Sequence, residues 1–368
     1  MINLVALTIG SFIFTFLLSF PFLSFLYKYN IRRISKTDLD KILKHRTEMK
    51  FGTPVMGGTV ILLSIILFST VFLSNWAYYP LIIFVCVVGG IFGAIDEYVN
   101  TLGRTLSVIR IVKEQEGKPS SIFPVSPKLK RLKSLILIPW KLFEEALRIT
   151  GSQQRGLKSH YKLLMQIFLA LVPILYLHVV GNGTFFIFPL VGKVDFNILY
   201  YPIVFAALMF YANAFGVTDG MDGLSAGLHS IAFLAIGVIS YHYDYIDLAY
   251  LSFIVVGAEL AFLYFNIFPA RVEMSDVGTL PLGMLFVLIT SIMHLEFVLP
   301  IIGFIFTLEI FTSVTQQWSV KLTGKRLYPM APIHHSFEFL GWPETKVTMR
   351  FWLVSAIVAL VGIFIALL

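Results

Sequence analysis

Ten nearly unbroken apolar stretches dominate this chain, and an apolar run of about 20 residues can cross a bilayer as a helix. They lie near 3–27, 57–75, 77–95, 163–181, 198–216, 224–241, 248–266, 278–294, 297–318 and 350–368. Gly or Pro punctuates several of them, which softens each end by a few residues. Of all residues, 57% are hydrophobic and only 13% charged, whereas a water-soluble chain carries roughly 25% charged residues. Most of the chain therefore does not face water. The expected fold class is all-α: a polytopic membrane protein with about ten transmembrane helices and a cytoplasmic-face active-site cleft, forming a single domain over residues 1–368. The first run has no basic flank before it and no small-residue cleavage site after it, so it reads as an anchor that stays.

The basic residues set the expected orientation. Segment 28–50 holds eight Lys and Arg, segment 97–162 holds thirteen, 266–278 holds Arg271 and 318–350 holds five, which leaves only Lys193 for the other side. Loops rich in Lys and Arg stay in the cytoplasm. Both termini are then expected outside, with loops 28–52, 97–162, 217–223, 267–277 and 319–349 inside. The net charge of +7 is mostly this asymmetry; it suits anionic headgroups of membrane lipid and a phosphate-bearing substrate. The 35 Phe suit lipid-facing and interfacial positions, not a base-stacking surface, so no nucleic-acid partner is expected. The lone Cys86 can form no internal disulfide and no metal cage, and reads as a small packing residue.

Residues 112–156 form the least regular stretch. Pro119, Pro124 and Pro127 lead into LKRLKSLILIPWKLFEEALRI, which Pro139 interrupts. It is too charged for a span and suits two short amphipathic helices on the cytoplasmic face. Surface adhesion is the plain reading; docking of a partner enzyme is the sharper one. Gly89, Gly90 and Gly93 allow close helix packing.

Ionisable groups beside apolar helices are where chemistry is sought in a membrane protein. Asp96 and Glu97 end the third run. Asp219 and Asp222 lie in TDGMDGL, Asp276 in SDVG, and His334 and His335 in MAPIHHSFE. Four connections on one side thus present carboxylate or imidazole groups at one depth, although a single Asp at a span end is often only a solvated loop residue. Gathered carboxylates repel and desolvate one another, so a cation is needed. Mg²⁺ suits them, since it takes oxygen ligands from one or two carboxylates and from substrate phosphates. Lys50 and Lys162 supply positive charge, and the glycines of DGMDG and MGG allow close backbone approach. Together these are the parts of a phosphoryl-transfer site. Glu259 and Glu309 fall inside spans, where an acid needs a polar partner whatever its role. His178, His242 and His294 fall at outer ends and read as interfacial.

At these motifs the sequence resembles the phospho-N-acetylmuramoyl-pentapeptide transferase family, over nearly the whole chain outside 112–156. KFGTPVMGG, AIDEY, TDGMDGL, FNIFPARVEMSDVGTL and TGKRLYPMAPIHHSFEFLGWPETKV carry the likeness in matching order. The last, a histidine loop, sets the chain apart from the wider superfamily of polyprenyl-phosphate sugar-1-phosphate transferases. The resemblance implies that Asp276 binds Mg²⁺ and that Asp96, paired with Glu97, accepts a proton from the lipid phosphate or helps place it. It implies that Asp219 and Asp222 line the nucleotide and diphosphate site, and that Lys50, Thr53, Asn266 and Gln316 contact the nucleotide substrate. By the same likeness Lys162 faces phosphate, Asn213 offers an amide to substrate, and His334 and His335 orient the phosphates or the substrate. The chain departs from the pattern at Glu97 (for Asp), Gly216 (for the second Asn of an NxxN stretch), Glu273 (for an aromatic residue), Ser275 (for Gly) and Ser336 (for a third His).

The implied reaction moves phospho-N-acetylmuramoyl-pentapeptide from its UDP-linked precursor, UDP-MurNAc-pentapeptide, to undecaprenyl phosphate, giving lipid I and UMP. The implied place is the cytoplasmic membrane of a bacterium. A paralogue using another UDP-sugar, a transporter and a catalytically impaired scaffold are the rival readings. A homodimer is compatible with a single membrane domain, and the sequence does not fix the oligomeric state.

Overall fold

The protein is described by a computed structural model covering residues 1–29, 31, 53–115, 151–152, 156–157 and 159–368, with side chains described outside 101–159. Lys50 and nearly all of the 112–156 segment, with its expected amphipathic helices, lie outside the described residues; of that segment only the backbone at 112–115, 151–152 and 156 is included.

Every one of the ten apolar runs is helical. In chain order the elements are α1 (Ile2–Lys28), α2 (Gly58–Phe72), α3 (Tyr79–Gln115), β1 (Gly151–Ser152), β2 (Gly156–Leu157), α4 (Ser159–Val180), β3 (Phe185–Phe188), β4 (Gly192–Asp195), α5 (Tyr200–Thr218), α6 (Leu224–His242), α7 (Ile246–Asn266), α8 (Asp276–Ile292), α9 (Leu299–Ile302), α10 (Phe304–Thr323), α11 (Ile333–Phe339) and α12 (Glu344–Ala366). The number of full-length spans is smaller than the number of apolar runs. Among the described residues seven helices are long and apolar enough to span a membrane, eight if a bent pair counts as one. The pair Glu296–Ile302 and Phe304–Thr323 is bent by 78° at Gly303, so the ninth run is broken. Helices α2 and α8, at 15 and 17 residues, are apolar but short of a full crossing of about 20.

Helix α8 is enclosed by its neighbours. Every residue from Val277 to Ile292 is buried, as expected for a helix that is apolar all round. It is the axis of the bundle, packed against α3, α5 and α2, while α7 packs on α1 and α6, and α12 on α6. The outer helices α1 and α12 leave Leu17, Leu353 and Phe364 exposed, which is the lipid-facing counterpart of that core. Helix α3 runs past the expected end of its span near 95, which places Asp96 within a continuous helix rather than in a loop.

The strands were not expected. β3 and β4 pair antiparallel, Phe185 with Asp195 and Phe188 with Gly192, at the bundle end where α4 stops and α5 begins. The hairpin covers His294, whose ring stacks on Phe185 at 4.0 Å between centroids and whose carbonyl accepts the Ile187 N–H at 2.8 Å. His294, at the end of its helix, is therefore buried.

Candidate active site

Three charged side chains from three helices meet at the end of the bundle opposite the β3–β4 hairpin. Lys162, in the first turn of α4, places Nζ 3.0 Å from Asp96 Oδ2 of α3 and 2.5 Å from Asp276 Oδ2 at the start of α8. They border a cavity of about 210 Å³ that Phe92, Gly93, Gln166, Asn213, Gly216 and Leu280 also line. Two carboxylates brought this close repel each other unless a cation stands between them, and the ammonium does so here. Asp276 opens α8, so its carboxylate also sits at the positive end of the helix dipole.

Glycines let this convergence happen. A Cβ on Gly93 would run into the backbone of Asp276, and one on Gly216 would stand 3.2 Å from Asp276 Oδ1. Any larger side chain at 216 must press on that carboxylate, which gives the departure from Asn a physical meaning. Gln166 and Asn213 close one wall with reciprocal amide bonds of 3.1 and 3.2 Å. Gln166 was missed in the sequence, although it lies one helical turn beyond Lys162 and so on the same face.

The other expected site residues form the frame behind the cavity. Asp219 Oδ2 accepts the Ser275 N–H at 3.0 Å, which ties the TDGMDGL loop to the residue before Asp276. Asp222 Oδ2 accepts the Ala270 N–H at 3.1 Å, and its own N–H donates to Glu344 Oε1 at 2.6 Å. Both ends of the Asn266 amide are engaged: Oδ1 accepts the Gly223 N–H at 3.1 Å and Nδ2 donates to the Val272 carbonyl at 2.8 Å. The amide of Gln316 binds the backbone of 327–328, with Oε1 accepting two N–H groups at 2.8 and 3.0 Å; it borders a separate cavity with Lys321 and Arg326. Thr53 is buried, Glu97 is half-buried, and neither lines the cavity.

The two histidines differ. His334 Nδ1 lies 2.9 Å from Glu309 Oε2 with both side chains fully buried, and its Nε2 is turned onto Gly220, where a Cβ would collide with it. His335 Nδ1 lies 3.0 Å from Glu338 Oε2 nearer the surface. Ser336, where the family has a third His, folds its hydroxyl back onto the Met330 backbone. The intramembrane acids both found partners: Glu309 in His334, and Glu259 in His229 at 3.0 Å.

Ser275 adopts φ 61° and ψ 177°, a region that glycine alone enters without strain. Ser275→Gly, which restores the family residue, is expected to stabilise the protein by about 1 kcal/mol with turnover unchanged. Thermal unfolding in detergent measures this, and a lower midpoint would show that the serine side chain stabilises the turn.

Among the described residues no group of three or more His, Cys, Asp or Glu is placed to hold a metal. The donor set that is present, two carboxylates beside an open cavity, nevertheless fits Mg²⁺, which keeps several waters and completes its shell with substrate phosphates.

The charged cavity thus lies at one end of a bundle of apolar helices long enough to span a membrane. The family described as Glycosyl transferase family 4 matches residues 153–294, the stretch from α4 to just past α8 that contributes Lys162, Asp219, Asp222 and Asp276. A phospho-N-acetylmuramoyl-pentapeptide-transferase of Anoxybacillus flavithermus is 32% identical over 360 residues, covering 96% of this chain and 95% of that protein. The protein of that name from Bacillus subtilis is 32% identical over 323 residues, covering 86% and 85%. The chain belongs to the phospho-N-acetylmuramoyl-pentapeptide transferase family.

Proposed function

We propose that this protein transfers phospho-N-acetylmuramoyl-pentapeptide from UDP-MurNAc-pentapeptide to undecaprenyl phosphate, releasing UMP and forming lipid I for peptidoglycan synthesis. The observation that carries this reading is the Asp96–Lys162–Asp276 cluster, opening on a cavity where membrane-embedded helices end. A lipid acceptor reaches such a place from the bilayer and a nucleotide from the cytoplasm. The basic loops favour the cytoplasmic side of a bacterial inner membrane for it.

In the reaction a phosphate oxygen of the acceptor attacks the β-phosphorus of the UDP-sugar, and the bond from that phosphorus to the bridging oxygen of UMP breaks. Asp96 places the acceptor phosphate and takes its proton when it arrives protonated. Lys162, bound to two carboxylates, is the one described cation lining the cavity, and it turns to the diphosphate as substrate enters. Asp276 is the residue that would hold Mg²⁺, with Asp96 beside it. When bound, the ion neutralises charge developing on the diphosphate. The TDGMDGL loop, braced by Asp219, Asp222 and Asn266, keeps the start of α8 in register with the cavity, so a small shift there misaligns the reacting groups.

Purified protein supplied with UDP-MurNAc-pentapeptide, undecaprenyl phosphate and Mg²⁺ is expected to release UMP and form lipid I. Removal of divalent ions with EDTA should stop turnover, and Mg²⁺ in excess should restore it. UMP release only from a different UDP-sugar would identify a paralogue. No release from any UDP-sugar would leave the scaffold reading, and turnover that persists in EDTA would remove the metal from the mechanism.

A further inference from the structure

The first turns of α12 carry two cations that the reaction does not use. Lys346 and Arg350 lie one helical turn apart, and both are exposed. Lys346 Nζ stands 4.4 Å, and Arg350 Cζ 4.6 Å, from the centroid of the Trp342 ring. Phe337 packs on the same indole at 5.0 Å between centroids, which fixes the ring.

Local energetics oppose this arrangement. Like charges at i and i+4 repel, and cations in the first turns of a helix meet the positive end of its dipole. The ring quadrupole attracts each cation but cancels neither charge. Among the described residues neither Lys346 nor Arg350 pairs with a carboxylate. The acid nearest in sequence, Glu344, is buried and accepts the Asp222 N–H. Two uncompensated cations held against one aromatic ring make a receptor for an anion.

The surroundings identify the anion. Phe339 and Leu340 just before Trp342, and Met349 and Leu353 along α12, are 53%, 65%, 61% and 64% exposed. These apolar side chains continue into the lipid-facing side of a spanning helix. Aromatic and basic residues where a span begins lie at the depth of phospholipid headgroups. None of these residues lines the cavity that holds Asp96, Lys162 and Asp276, so the reacting phosphates are not the anion in question. We propose that Trp342, Lys346 and Arg350 bind the headgroup phosphate of an anionic bilayer phospholipid, at the end of the bundle that carries the active site.

The test compares full-length protein with a Lys346→Gln/Arg350→Gln double variant, each in nanodiscs of phosphatidylcholine alone or with phosphatidylglycerol added. Both side chains are exposed and lack carboxylate partners, and equal thermal midpoints in pure phosphatidylcholine verify that the variant folds. Phosphatidylglycerol should raise the midpoint of the natural protein by mass action, less so at high salt, and leave the variant unmoved. Native mass spectrometry should show phosphatidylglycerol affinity falling roughly fivefold per cation removed. Equal retention in the two proteins overturns the proposal. So does unchanged retention accompanied by a raised KM for undecaprenyl phosphate, which would assign the cluster to the acceptor instead.

Discussion

Asp276→Asn is expected to lower kcat by roughly 10²–10³-fold, the usual loss when one charge-stabilising group is removed from a preorganised site. The substitution keeps the shape of the side chain and removes its charge, so Gly93 and Gly216 still accommodate it. Lys162 retains Asp96, and folding should change little. Removal of an interaction made mainly in the transition state lowers kcat and kcat/KM together, which distinguishes this outcome from a loss of nucleotide affinity. Binding of Mn²⁺, followed by its paramagnetic resonance signal, should weaken in the same variant. Near-normal turnover in folded Asp276→Asn protein would falsify the assignment of this carboxylate to the metal and its diphosphate.

Glu309→Ala should act on stability first. The Glu309–His334 contact is fully buried, and truncating one partner strands an imidazole nitrogen away from water and opens a cavity. Loss of one partner of a buried polar pair costs about 3 kcal/mol. His334 is turned onto Gly220 inside TDGMDGL, so the released ring should also loosen that loop and reduce turnover. Glu309→Gln, whose amide can donate or accept at Nδ1, should recover much of the stability. The check is a detergent melting curve for each variant beside its UMP release rate. If the Ala variant melts with the natural protein, the contact contributes little and His334 is held by packing alone.

The carry-over of roles from the family motifs is refined by where each amide and carboxylate ends up. Asn266 and Gln316, expected at the nucleotide, also hold backbone groups: Asn266 those of Gly223 and Val272, Gln316 those of Leu327 and Tyr328. Asn266 thereby ties the end of its helix to the TDGMDGL loop, and Gln316 holds the backbone at 327–328. Asp219 and Asp222 likewise hold the 266–275 segment in place. The spacing of DGMDG shows that two acids share a tight turn but not which of them points inward, because that depends on what the opposing loop offers as donors. Ser275 and Gly216 were visible as departures, but their meaning required coordinates: one is a strained turn and the other a close approach to Asp276 Oδ1.

Run length and composition are local properties, so the sequence by itself determined that the ten apolar runs are helical, their order and the all-α membrane class. It also marked the charged groups that lie beside the spans, since an acid or a lysine near hydrocarbon stands out against its neighbours whatever the fold. Crossing a membrane is less local: α8 is short and enclosed by other helices, and α10 is bent from its partner segment at Gly303. Only the tertiary structure decided that Lys162 bridges Asp96 and Asp276, residues 66 and 114 positions away from it. That meeting depends on how α3, α4 and α8 cross, and the crossing is set by glycine contacts such as Gly93 on the Asp276 backbone. The same holds for His334 with Glu309 and for the hairpin over His294. Each joins segments whose separate sequences carry no record of the distance between them.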